Sequence, residues 1–108
     1  MPDQISVRAL QAKLTAGEPV YLVDVRQPWE HEVAALPGTH VLVPLAELVD
    51  RHDEITPPDG ALVVAYCHHG IRSLNAAALL ERAGHSVASL AGGIDRWSLE
   101  IDPKIPRY

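Results

Sequence analysis

Cysteine and methionine each occur once among the 108 residues of this chain, and phenylalanine does not occur at all. Each scarcity closes off a class of answer. One thiol cannot form an internal disulfide, so no disulfide framework holds the fold and the cysteine stays free for chemistry, as in the reducing cytoplasm. Without Phe the core has to be aliphatic, filled by Val, Leu, Ile and Ala within a hydrophobic share of 47%. Basic residues are also few. Nine Lys and Arg face fourteen Asp and Glu, the formal net charge is −5, and no basic stripe appears. That argues against a nucleic-acid binder. The longest apolar run, Ala61 to Cys67, is far too short to cross a bilayer. Met1-Pro2-Asp3-Gln4 lacks the basic and apolar regions of a secretory signal. The expectation is a cytoplasmic protein whose partners are neither membrane nor nucleic acid.

What is present is a set of short apolar segments separated by nine prolines and seven glycines. The length suits one domain over residues 1–108. Ser6 can cap a first helix to about Thr15, with Leu10 and Leu14 on its inner face and Gly17 as the stop. Val20 to Val25 reads as a strand with both faces covered. Pro28-Trp29-Glu30 opens a short helical turn that Leu36-Pro37-Gly38 closes, and Val41-Leu42-Val43 is a second strand. Pro44 suits the first position of a helix to about Arg51. After the loop Pro57-Pro58-Asp59-Gly60, Ala61 to Tyr66 forms a third strand. The spacing of Leu74, Ala77 and Leu80 predicts a helix over Ile71 to Ala83, ended by Gly84. Ser86 to Leu90 is a fourth strand, and Gly92-Gly93 turns into a last helix carrying Trp97. Alternating strands and helices predict an α/β fold with a central parallel sheet of four to five strands and helices on both faces.

Ligands of such sheets bind beyond the carboxyl ends of the strands. Tyr66-Cys67-His68-His69-Gly70-Ile71-Arg72-Ser73 is such a junction, and it holds the one cysteine. A thiol there faces the unpaired N–H groups and positive dipole end of the next helix, with Arg72 nearby. Both favour the thiolate. Gly70 lets successive amides turn inward as an anion-binding nest. Asp24 and Arg26, two residues apart at the end of the first strand, point to one side and read with Glu30 as a structural brace. Trp29, Trp97 and Tyr66 read as core or pocket wall, and His31, His40, His52 and His85 as surface or boundary residues. Side chains of adjacent residues on a tight loop are not expected to converge on one ion, and no second cysteine completes a zinc spacing, so His68 and His69 read as loop-lining donors with no metal and no cofactor.

Three segments also resemble one family. Cys67 to Ser73 resembles the active-site loop of rhodaneses. Leu22-Val23-Asp24-Val25-Arg26, with Trp29-Glu30 and Pro37-Gly38, is similar to their amino-terminal signature, and Leu90-Ala91-Gly92-Gly93-Ile94-Asp95-Arg96-Trp97 to their carboxyl-terminal one. Where the family has Gly-His or Ala-His before an Ile-Pro-Gly turn, this chain has Ala34-Ala35-Leu36. The resemblance implies a rhodanese-like fold and a sulfurtransferase in which Cys67 takes the outer sulfur of thiosulfate, or of a related persulfide donor, as a persulfide. It passes that sulfur to a small thiol, cyanide or a sulfur-carrier protein. His68, His69, Gly70, Ile71, Arg72 and Ser73 would bind the substrate, their amides stabilising the persulfide charge and Arg72 holding the sulfonate. Trp97 to Tyr108 resembles the end of rhodanese domains fused to E1-like adenylating enzymes, which implies a sulfur-relay module as the alternative. A cysteine phosphatase or arsenate reductase is a weaker reading. The phosphatase signature has about five residues between cysteine and arginine, whereas four stand between Cys67 and Arg72. A catalytically silent binding domain is a further alternative, and the intact cysteine loop argues against it.

Overall fold

The computed structural model describes residues 2–108 and shows five parallel strands in the order β1-β5-β4-β2-β3. The strands are β1 (Asp3–Ile5), β2 (Val20–Asp24), β3 (Thr39–Leu42), β4 (Leu62–Tyr66) and β5 (Val87–Leu90). The helices are α1 (Val7–Thr15), α2 (Pro28–Val33), α3 (Leu48–Arg51), α4 (Ile71–Arg82) and α5 (Gly93–Glu100). β4 lies at the centre, in register with β2 from Val20↔Leu62 to Asp24↔Tyr66 and with β5 from Val63↔Val87 to Ala65↔Ser89. Both faces of β4 are covered, which is why it reads as an unbroken apolar run.

Alternation along β4 divides the core in two. Val63, Ala65 and Cys67 face the side packed by α3 and α4, with Leu48, Ala77 and Leu80. Val64 and Tyr66 face the side packed by α1 and α5, with Leu10, Ile94 and Trp97. Fully burying a side chain such as Leu10 contributes about 2 kcal/mol, and Leu10 is completely enclosed. No helix of the described residues is long and apolar enough to cross a membrane.

Several boundaries differ from the sequence reading for physical reasons. β1 was not anticipated: of its three residues only Ile5 is buried, so it carries no apolar pattern. It pairs with β5 at the sheet edge. Leu14 is 40% exposed, because α1 buries mainly Val7 and Leu10. Pro44 does not take the first position of an α-helix but caps a 3₁₀ turn. Val43 donates to the Asp24 carbonyl and Leu45 to that of Val25, so ladder-like bonding continues across the proline, whose missing N–H falls between the two. The chain then makes a 3₁₀ turn over Leu45–Glu47 before α3, and another over His52–Glu54. Trp29 is 59% exposed and not core, because α2 turns Glu30 inward in its place.

Candidate active site

The junction between β4 and α4 is held from three sides. Below it, β4 delivers Cys67 onto the α4 face of the sheet. Ahead of it, Gly70 (φ +101°) caps α4 in the left-handed conformation. A side chain there would press on the Gly92 amide and the Leu90 carbonyl, so only glycine fits. Behind it stands the amino end of α5. Ile94 N–H donates to the Cys67 carbonyl at 2.9 Å and Asp95 N–H to the His68 carbonyl at 3.1 Å. Gly93 (φ +62°) approaches so closely that a methyl would overlap both carbonyls.

Within this frame the Cys67 Sγ accepts the Gly70 N–H at 3.1 Å and the Ser73 N–H at 3.4 Å. The Ser73 hydroxyl lies 3.5 Å from Sγ and 2.7 Å from that of Ser89. Cys67 is 1% exposed, yet its sulfur is turned to the loop amides. Amides that converge on a sulfur at a helix start favour its anionic forms. Ser89 was missed from the sequence, though a serine within the buried apolar run Val87 to Leu90 was its signal, since a buried hydroxyl needs a partner.

The brace residues form one network beside the loop. Arg26 is fully buried and sends Nε and Nη2 to the two oxygens of Asp24 at 2.8 and 2.7 Å. Nη2 also donates to the Ala34 carbonyl, and Nη1 to the Tyr108 hydroxyl at 2.8 Å. Burial works against the Arg26 charge, but the bonds to Asp24 and Tyr108 outweigh it and raise its pKa. A second pair leads to the loop: Arg72 Nη1 and Nη2 donate to Glu30 Oε1 and Oε2 at 2.7 and 2.8 Å. The Arg72 fork pulls the Glu30 pKa from 4.5 to about 2, against the opposing effect of burial. The sequence reading gave that fork to a sulfonate. Here it holds the Glu30 carboxylate, which α2 turns inward beside it.

His68 and His69 do converge, contrary to expectation: their rings stack at 3.9 Å, and each brings a ligand-type atom within 4.8 Å of the other and of Asp95. Both Asp95 oxygens are engaged by Arg107, and no metal role is assigned to the three residues. His31 is more than a boundary residue, its Nδ1 lying 2.8 Å from Asp24 Oδ2, and His40 Nδ1 accepts the Leu22 N–H. Ile71 is 73% exposed at the loop rim.

The sequence profile of the rhodanese-like domain matches residues 6–100. The chain belongs to the rhodanese-like domain family. It is 37% identical over 114 residues to the rhodanese-like/PpiC domain-containing protein 12, chloroplastic, of Arabidopsis thaliana, covering 96% of this chain and 36% of that protein. It is 32% identical over 105 residues to the probable adenylyltransferase/sulfurtransferase MoeZ of Mycobacterium tuberculosis, covering 96% and 26%. This rhodanese-like chain thus spans about a third or less of the length of these relatives. Among solved structures, reduced Bacillus anthracis CoADR-RHD superposes with a TM-score of 0.82 at 28% identity, over 96% of this chain and 18% of that one.

Proposed function

We propose that this rhodanese-like domain is a sulfurtransferase in which Cys67 carries sulfane sulfur. The observation that carries the reading is the Cys67 sulfur seated on the Gly70 and Ser73 amides at the start of α4. The thiolate attacks the outer sulfur of thiosulfate. The bond between that sulfur and the sulfonate sulfur breaks, sulfite leaves with the electron pair, and a persulfide anion remains on Cys67. An acceptor such as cyanide or a small thiol then attacks the outer sulfur and frees the thiolate. The loop amides offset the persulfide charge as an oxyanion hole would. Arg72, anchored on Glu30, contributes positive field, and the buried thiol requires the loop rim to yield as the donor enters. A relative named as a sulfurtransferase supports the reading. So does the cysteine-to-arginine spacing, tighter than a phosphatase signature. A lone thiol that must stay reduced fits the cytoplasm.

That relative's name joins adenylyltransfer to sulfurtransfer, which favours a second reading: a relay module whose donors and acceptors are proteins. A high thiosulfate KM beside fast turnover with a desulfurase persulfide as donor supports the relay.

Intact-mass spectrometry after thiosulfate treatment tests the central claim. The parent should gain one sulfur that cyanide removes, and Cys67→Ser should gain none. A parent that stays unloaded with every sulfane donor ends the sulfurtransferase reading.

A further inference from the structure

The last residue of the chain touches the catalytic loop at His68 and reaches its other flank through Glu30. The Tyr108 ring lies 3.9 Å from the His68 ring at an interplanar angle of 9°, directly after Cys67 in sequence. Its hydroxyl donates to Glu30 Oε2 at 2.8 Å and accepts from Arg26 Nη1 at 2.8 Å. Glu30 in turn holds Arg72, directly before Ser73. Trp29 meets the same ring edge-on at 5.9 Å. The loop is therefore pinned at residue 68 by the phenol face and at residue 72 through the phenol oxygen. Between these points lies the Gly70 N–H, and just beyond them the Ser73 N–H, the two amides that meet the Cys67 sulfur.

The tail does not need Tyr108 for its own docking. Ile105 is buried, its carbonyl accepts the Ser98 hydroxyl, and Arg107 pairs with Asp95 at 2.8 Å. These contacts fasten the segment after α5 to α5 itself. Tyr108 also packs against the core beside α1 and α5, but its hydrogen bonds and ring contacts are with the brace, α2 and the loop. A half-buried phenol bridging Arg26 and Glu30, with burial pushing its pKa to about 12, stays protonated and keeps donating throughout the neutral range.

We infer that Tyr108 is a positioning residue for the Cys67 loop: its ring and hydroxyl together hold the Gly70 and Ser73 amides at the sulfur. This rests on the proposed sulfur chemistry for its kinetic consequence, though not for its geometric one.

The test compares the parent with Tyr108→Phe, which keeps the ring and loses the hydroxyl, and Tyr108→Leu, which loses both. Two readouts are needed. Amide hydrogen exchange across residues 68–73 should speed up about tenfold in Tyr108→Leu and less in Tyr108→Phe, with exchange in β2 and β5 unchanged. Single-turnover loading from thiosulfate should fall about tenfold in Tyr108→Leu, with partial rescue in Tyr108→Phe and an unchanged thiosulfate KM. Unaltered loop exchange in Tyr108→Leu overturns the inference, as does faster exchange spread over the whole chain. Should the parent itself fail to load, the sulfurtransferase reading falls, and the exchange data still decide the role of Tyr108. Loading within twofold of the parent despite faster loop exchange overturns the kinetic part.

Discussion

Replacing Glu30 by Gln removes one charge from the middle of the brace while nearly preserving its shape. Four bonds end on this carboxylate: two from Arg72, one from the Gln27 N–H at 3.0 Å and one from Tyr108. Glutamine keeps one acceptor oxygen, so it can serve Gln27 at the Oε1 position or Tyr108 at the Oε2 position but not both, and its amide nitrogen faces a guanidinium that needs an acceptor. The folded pKa of about 2 lies below the ordinary 4.5, so the carboxylate is stabilised in the native state. At 1.36 kcal/mol per pH unit of difference, that is worth about 3 kcal/mol at pH 7. Arg72 is partly open to solvent, which trims the expected loss on Glu30→Gln to about 2 kcal/mol. A lowered folded pKa contributes fully above the unfolded value and is lost as pH falls through the folded one. The window is therefore pH 4.5 down to about 2. Urea unfolding at pH 7 and pH 3 provides the assay. The parent should exceed Glu30→Gln by about 2 kcal/mol at pH 7 and by about half as much at pH 3. An equal gap at both pH values would refute the ion-pair account and leave only packing.

Arg26→Met should cost about 3–5 kcal/mol in urea unfolding, because it strips the buried Asp24 carboxylate of its guanidinium and leaves it only the residue-26 N–H and the His31 ring; a loss under 1 kcal/mol contradicts this. Gly93→Ala should lower both stability and persulfide loading, since its methyl would strike the Cys67 and His68 carbonyls. Gly84→Ala, with φ +97° but open space around it, should lower stability alone; equal effects of the two on loading would sink the argument. The His68 pKa is held below 6.5 by burial and by the neighbouring His69. Positive charge therefore gathers there only as pH falls below that value, and thiosulfate affinity should rise with it. The affinity of a His68→Ala, His69→Ala double variant should be flat over the same range, and a slope matching the parent's removes the histidines from binding.

Much of the fold was legible because its signals are local. β2, β4 and β5 are covered on both faces and read as nearly continuous apolar runs, while α4 shows its inner stripe and its glycine boundaries. The loop around Cys67 was legible for the same reason, with its glycine, arginine and helix start all within seven residues. What escaped depends on distant contacts. β1 is defined only by its pairing with β5, over eighty residues away. Tyr108 bonds to Glu30 across 78 positions, and no local pattern announces such a return. Trp29 lies outside, contrary to expectation, because the brace acid Glu30 takes the inward place where Arg72 meets it, while the indole finds only an edge contact with Tyr108. The Arg72–Glu30 pair was not foreseen because the two residues lie 42 positions apart.

The amides at the start of α5 that bind the Cys67 and His68 carbonyls have a consequence for how donor preference can drift. With those oxygens turned toward α5 and the Gly70 and Ser73 N–H groups toward the sulfur, the peptide dipoles set the field at the reactive atom. The side chains of His69 and Ile71, 62% and 73% exposed, form the outer rim and make no hydrogen bond to that atom. If Cys67 carries sulfur as proposed, positions 69 and 71 are where a change of donor could be made while the sulfur's electronic surroundings stay as they are. A lineage would then change what it takes sulfur from without relearning how to hold it.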